Sequence, residues 1–136
     1  MTPLELIGSI KAHAKWLGGN PGGIRANFSL KVLPGYDLTN VNLTDAKLVG
    51  VDLSGCTLRG AVLRTTDLFA ADLSSANLEN ADLSGADLQG VNFTGASLTG
   101  ADLTRATIEK TELTGAKTAD VTFRNNTGRP IDLILA

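Results

Sequence analysis

From Ala71 to Leu103 the chain reads ADLSS ANLEN ADLSG ADLQG VNFTG ASLTG ADL, with Leu or Phe at every fifth position and Ala or Val two residues before each. A period kept this strictly is an internal repeat, and it limits the architecture before any local reading can. Written in fives from Ala26, the pattern runs both ways: ANFSL KVLPG YDLTN VNLTD AKLVG VDLSG CTLRG AVLRT TDLFA comes before, and ADLTR ATIEK TELTG AKTAD VTFRN after. Thr118 is the first lapse at the central position. Asn126 to Pro130 place Gly128 there, and Ile131 to Leu135 return in register. The span Ala26 to Leu135 covers about 110 residues, roughly 22 units, without an insertion.

A five-residue period fits neither a helix, which would scatter every fifth side chain around its axis, nor a flat strand, which would alternate their faces. The chain must turn once per unit. One small and one large inward residue, followed by Ser, Thr, Gly, Asn or Asp, suit a short extended side and a tight corner. Successive coils then stack through backbone hydrogen bonds around a dry Leu column, as in β-solenoids. Composition agrees: 43% of residues are hydrophobic, yet there are only four Phe, one Tyr and one Trp, so the core is thin and built of small residues.

The units ADLSS, ANLEN, ADLSG, ADLQG and ADLTR share the motif A(D/N)LXX, which resembles the pentapeptide-repeat family over roughly four-fifths of the chain. The resemblance implies an all-β fold, a right-handed quadrilateral β-helix with four pentapeptides per coil. That gives about 5.5 coils and, at ~4.8 Å per coil, a rod of roughly 26 Å. Residues twenty apart become neighbours, so Leu38, Leu58, Leu78 and Leu98 stack, and Tyr36 is oversized for the small-residue column it heads.

Before the repeat, Leu6, Ile7, Ile10, Ala14 and Leu17 share one arc at 100° per residue, which predicts an amphipathic helix from Thr2 to Leu17. Thr2, Pro3 and Glu5 suit its start, Lys11 and Lys15 its end, and Gly18-Gly19-Asn20-Pro21-Gly22-Gly23 stops it. With His13-x-x-Trp16-Leu17 and Arg25-Ala26-Asn27-Phe28, it is similar to the leaders of some cyanobacterial and phage members of the family. The expected organisation is a capping helix and Gly-rich turn over 1–25, the β-helix over 26–125 and an end coil over 126–136. The helix should lay Leu6, Ile10 and Leu17 on Phe28 and Leu33. The surplus of apolar residues around Ile131, Leu133 and Leu135 suggests an end that a second subunit covers, and hence a homodimer.

Little of the chain suits catalysis. His13 is the single histidine and reads as a capping residue. Cys56 is the single cysteine, and it occupies a small inward position where a thiol packs as a modest hydrophobe. GGNPGG lacks the Gly-Lys-Ser/Thr ending of a phosphate loop. No catalytic, cofactor-binding or metal residue is assigned, and no cofactor is expected. The net charge of −2 offers no basic surface for direct nucleic-acid binding. Without a signal peptide or an apolar run long enough to span a bilayer, the expectation is a cytoplasmic protein with no membrane partner.

What remains is an interaction scaffold for an unidentified protein. Between Tyr36 and Asn125 there are twelve acids against seven bases, whereas the rest of the chain has two acids and five bases. Stacking puts Asp52, Asp72, Asn92 and Glu112 in one column and Asp67 with Asp87 on an adjacent side. Such ladders repel unless backbone N–H groups or water meet their oxygens. The alternative function implied by the family resemblance is inhibition of DNA gyrase or topoisomerase IV by mimicry of duplex DNA; Arg59, Arg64, Arg105 and Arg124 interrupt the anionic faces, and no loop projects. A second candidate surface is apolar: Val49 and Phe69, twenty residues apart, both point outward.

Overall fold

The computed structural model describes residues 1–124. The residue before each central Leu makes one parallel bridge to the residue twenty further on, from Asn27 with Lys47 to Asp102 with Thr122. Twenty residues are four pentapeptides, so each coil has four sides. Each side contributes a single bridge residue, and helix α1, Pro3–Leu17, is the one longer regular element among the described residues. The all-β expectation therefore holds as a β-helix solenoid of isolated bridges, not as one of extended strands. Ile131, Leu133 and Leu135, the expected dimer end and the end coil lie outside the described residues.

Corners along the rod are closed by the central carbonyl, which accepts the N–H three residues on, as Leu73 does from Ala76 at 3.1 Å. The third residue of the corner has positive φ, the signature of a type II turn. Gly90, at 67°, adopts it without cost, whereas Ala70 below it, at 58°, carries a Cβ that opposes it. Between coils, Leu73 N–H donates to Asn92 O at 2.8 Å and Asn92 N–H to Ala71 O at 3.0 Å, and the same pair of bonds recurs along the rod.

Inside, Leu43, Leu63, Leu83 and their neighbours are wholly buried, with Ala, Val or Cys56 in the small position. Polar residues in that slot turn their hydrogen onto a carbonyl: Thr66 Oγ1 to Leu63 O at 2.7 Å, Cys56 Sγ to Leu33 O at 2.7 Å. Burial, the largest influence, pushes the Cys56 thiol pKa up, so the sulfur stays protonated and packs as a hydrophobe.

Helix α1 closes the first coil. Thr2 caps it by accepting the Glu5 N–H at 3.2 Å. Its buried face differs from the apolar arc. Leu6 and His13 are buried and Ile10 is half-buried, while Ile7 and Leu17 are exposed. The helix is rotated because His13 has work to do on the coil edge that no apolar residue could do. Its Nε2 lies 2.9 Å from the Thr44 carbonyl, and its Nδ1 accepts the Ala26 N–H at 2.9 Å. A carbonyl can only accept and an amide N–H only donate, so these partners select the neutral Nε2–H tautomer.

Trp16 stacks on His13 with centroids 5.3 Å apart, and the Arg25 guanidinium lies 5.6 Å from the Trp16 ring centroid. The return loop passes so close that a Cβ on Gly23 would come within 2.5 Å of Trp16 backbone atoms. At the other end of α1, Tyr36 OH donates to Met1 O at 3.0 Å, which accounts for a ring in a small-residue column.

Burial, chiefly, lowers the His13 pKa below its ordinary value, and the nearby Arg25 charge adds to this; the Thr44 carbonyl and Asp45 act in the opposite sense. The unfolded chain therefore binds the proton more readily than the folded one. The contribution of neutral His13 is full above pH about 6.5 and is lost as pH falls from there toward the lower folded value. Urea unfolding followed by Trp16 fluorescence should thus show a weaker cap at pH 5 than at pH 8. His13→Phe should remove that dependence while lowering stability by about 1–3 kcal/mol, since two backbone groups lose their partner.

Candidate interaction faces

With the centre of each unit buried from Phe28 to Leu103, chemistry facing outward comes from three positions per side. On the side made by residues 31–35, 51–55, 71–75, 91–95 and 111–115, the bridges Asp52–Asp72, Asp72–Asn92 and Asn92–Glu112 form the expected column. Asp67 and Asp87 bridge on the neighbouring side. The repulsion these ladders imply is answered locally, because each bridge-position carboxylate or amide turns back onto its own corner. Asp52 Oδ1 accepts the Ser54 N–H at 2.9 Å, Asp72 Oδ1 accepts both the N–H and hydroxyl of Ser74 at 2.9 and 2.6 Å, and Asp87 Oδ1 accepts the Gln89 N–H at 3.0 Å. The Ser54 hydroxyl, then its N–H, holds Asp52 below the usual carboxylate pKa range. Asn92 makes the same bond to Thr94 at 2.9 Å, so the corner requires an oxygen and not a charge. Where Val32 replaces the acid, Pro34 stands at the donor position and no N–H is left waiting.

The side containing residues 61–65, 81–85 and 101–105 carries an ion pair that the sequence reading did not find, Arg64 Nε with Asp82 Oδ2. Burial works against the Asp82 charge, but the Ser84 hydroxyl, Arg64 and the Ser84 N–H together hold its pKa below the ordinary value. Arg64, Asp82, Asp102 and Arg105 line a shallow groove of about 410 Å³ there, of mixed sign. Arg59 pairs with Glu79 at 3.3 Å on the side between. The pairs i, i+18 and i, i+20 were available from the register, but side-chain length had to reach across a coil for either to form.

Val49 and Phe69 fall on the side of residues 26–30, 46–50, 66–70, 86–90 and 106–110. Gly50 N–H donates to Phe69 O at 2.8 Å, placing the two residues on adjacent coils. Val49 is half-buried and Phe69 is 47% exposed, in a position where the repeat otherwise favours Ser, Thr or a charged group. Leu30 joins them at the corner, its side chain lying over Gly50. Asp67 and Lys47 bridge beside the apolar pair. No group of three or more His, Cys, Asp and Glu among the described residues is placed to hold a metal ion.

The family profile described as pentapeptide repeats matches in eight copies over residues 24–60, 37–74, 46–85 and 81–117. A crystal structure of a pentapeptide-repeat protein from the Arabidopsis thaliana thylakoid lumen is similar at 32% identity and TM-score 0.71, over 82% of this chain and 81% of that one. HetL, from the cyanobacterium Nostoc, is 34% identical with TM-score 0.71, but the match covers 79% of this chain and 52% of HetL. A further Nostoc pentapeptide-repeat protein is 35% identical with TM-score 0.59, over 79% and 92% of the two chains. No curated protein sequence matches the chain.

If the acids serve the corner through one oxygen, Asp72→Asn should leave stability within about 0.5 kcal/mol of the native chain. Asp72→Ala, which orphans the Ser74 N–H, should cost about 1 kcal/mol in urea unfolding. Equal losses for both variants would mean that the charge itself is structural.

Proposed function

Because the chain belongs to the pentapeptide-repeat family, we propose that it is a noncatalytic scaffold, a right-handed quadrilateral rod that engages a protein partner through the side bearing Val49 and Phe69. The half-exposed Phe69 ring carries this reading. A large apolar side chain on a rigid β surface costs solvation and gives no packing in return, and aromatic groups are what protein interfaces use as anchors. Lys47 flanks the ring and would orient a partner by charge. The rod itself needs neither Phe69 nor Val49, since its centre is closed by Leu68 and Leu88. HetL is involved in regulating heterocyst differentiation, a role of the kind a binding scaffold can fill without chemistry of its own.

Mimicry of DNA is the second reading, and the ladders give it less support. Asp52–Asp72 and Asp67–Asp87 run for two acids each, and their inner oxygens are already committed to the corners. Asp82 is compensated by Arg64.

Affinity capture from extract of the source organism separates the two readings. Phe69→Ser with Val49→Ser should abolish capture of the partner without moving the unfolding midpoint, while Asn at positions 52, 67, 72 and 87 should leave capture intact. Retention of the partner by the Ser variants would refute the apolar reading. Inhibition of gyrase supercoiling by the purified chain, relieved by the four Asn substitutions, would establish mimicry instead.

A further inference from the structure

The exposed large apolar side chains are not spread over the rod. Leu4, Ile7, Trp16, Leu17, Ile24, Leu30 and Val32 all belong to α1, its return loop or the first coil, and among the described residues Phe69 alone stands elsewhere. Leu4 is 82% exposed and Leu30 is 79% exposed. Capping does not explain them, because α1 closes the coil with Leu6, Ile10 and His13. At 100° per residue, Leu4, Ile7, Lys11 and Ala14 run along an exposed stripe beside that face, with Lys15 next to them.

The same end is basic. Lys11, Lys15, Arg25 and Lys31 face a single acid, Glu5, before Asp37 is reached. Asp37 and Asp45, the acids of the first coil, lie on its third and fourth sides, whereas Leu30, Lys31 and Val32 mark the corner between its first and second. A partner for this end must therefore accept apolar side chains and supply negative charge. A second copy does not fit, since pairing two α1 faces would set Lys11 and Lys15 against their own images. The residues are also spread over helix, loop and coil corner, so a protein pocket would have to enclose all three.

We propose that the capped end docks on an anionic lipid bilayer. Helix α1 lies in the headgroup plane with Leu4 and Ile7 immersed, and Lys11 and Lys15 reach out to lipid phosphates. Peripheral docking needs no spanning segment, and no helix among the described residues is long and apolar enough to cross a membrane. It departs from the expectation of no membrane partner, which rested on the lack of a signal peptide and of a spanning run. The acids of the rod are repelled by the same surface, so the sides stay in solvent. Docking and partner binding by Phe69 rest on different residues and stand or fall separately.

The test is sedimentation of the full chain with phosphatidylcholine vesicles and with vesicles of phosphatidylcholine and phosphatidylglycerol. Binding to the anionic vesicles should exceed binding to the neutral ones by about tenfold or more and weaken in high salt. Lys11→Glu with Lys15→Glu, and separately Leu4→Ser with Ile7→Ser, should each lower the partition about tenfold at unchanged helix content and unfolding midpoint. Phe69→Ser should bind as the native chain does. No binding to the anionic vesicles, equal binding to both kinds, or full binding by the Lys variants overturns the proposal; self-association or capture of an acidic protein without vesicle binding overturns it too.

Discussion

The structure depends on one register, the backbone pairing of each residue with the residue twenty further on. Because the coil has four corners, that register holds only if every unit is five residues long. An added residue would rotate all later side chains out of position, sending Asp inward and Leu outward, so the absence of insertions is a condition of the fold. The register also fixes the small-residue column. Side chains at Val51, Ala71 and Val91 meet directly above one another and are almost completely buried. Anything larger would force the coils apart and lengthen the bonds that hold them.

The corners supply the second constraint, and they explain how an acidic rod tolerates its own charge. An Asp at the bridge position is the short side chain that can fold back to the N–H two residues on. Its negative charge follows from that geometry, not from selection for an anionic face. Asn77 accepting the Glu79 N–H at 3.1 Å and Asn92 accepting that of Thr94 show the neutral solution in the same chain. Acidity alone is therefore weak evidence for a ligand in this architecture. An exposed aromatic is stronger, because no corner requires it.

The body of the rod was legible in the sequence because it repeats. A period of five with Leu at its centre demands a chain that turns once per unit; the family resemblance adds four units per coil, and the stacked columns then follow by counting. The cap was legible as a helix, from Thr2, Pro3 and the Gly-rich stop, but not in its rotation. Hydropathy favoured Ile7 and Leu17 as inward residues, whereas the first coil presents unpaired amides and carbonyls as well as apolar surface, and His13 answers both Thr44 and Ala26. A polar residue with two complementary nitrogens was worth more on that edge than another leucine. Arg64 with Asp82 was missed for a related reason: the register brings residues into reach, but which long side chains then meet is decided by competition among neighbours that a column diagram does not contain.

A solenoid has two kinds of surface, and their chemistry differs for a physical reason. On the sides, backbone pairing is complete and the side chains at two of every five positions answer to packing, so variation is confined to a flat lattice with fixed spacing. At an open end the pairing stops, and whatever covers it must supply donors, acceptors and apolar contact together. Helix α1 does this with its inner face through His13, and Arg25 adds a bond from Nε to the Asp45 carbonyl. The outer face of such a cap is released from the repeat's rules altogether. Among the described residues it is the place near the rod where Leu, Ile, Trp and Lys can gather without disturbing the coil, and that is where they stand.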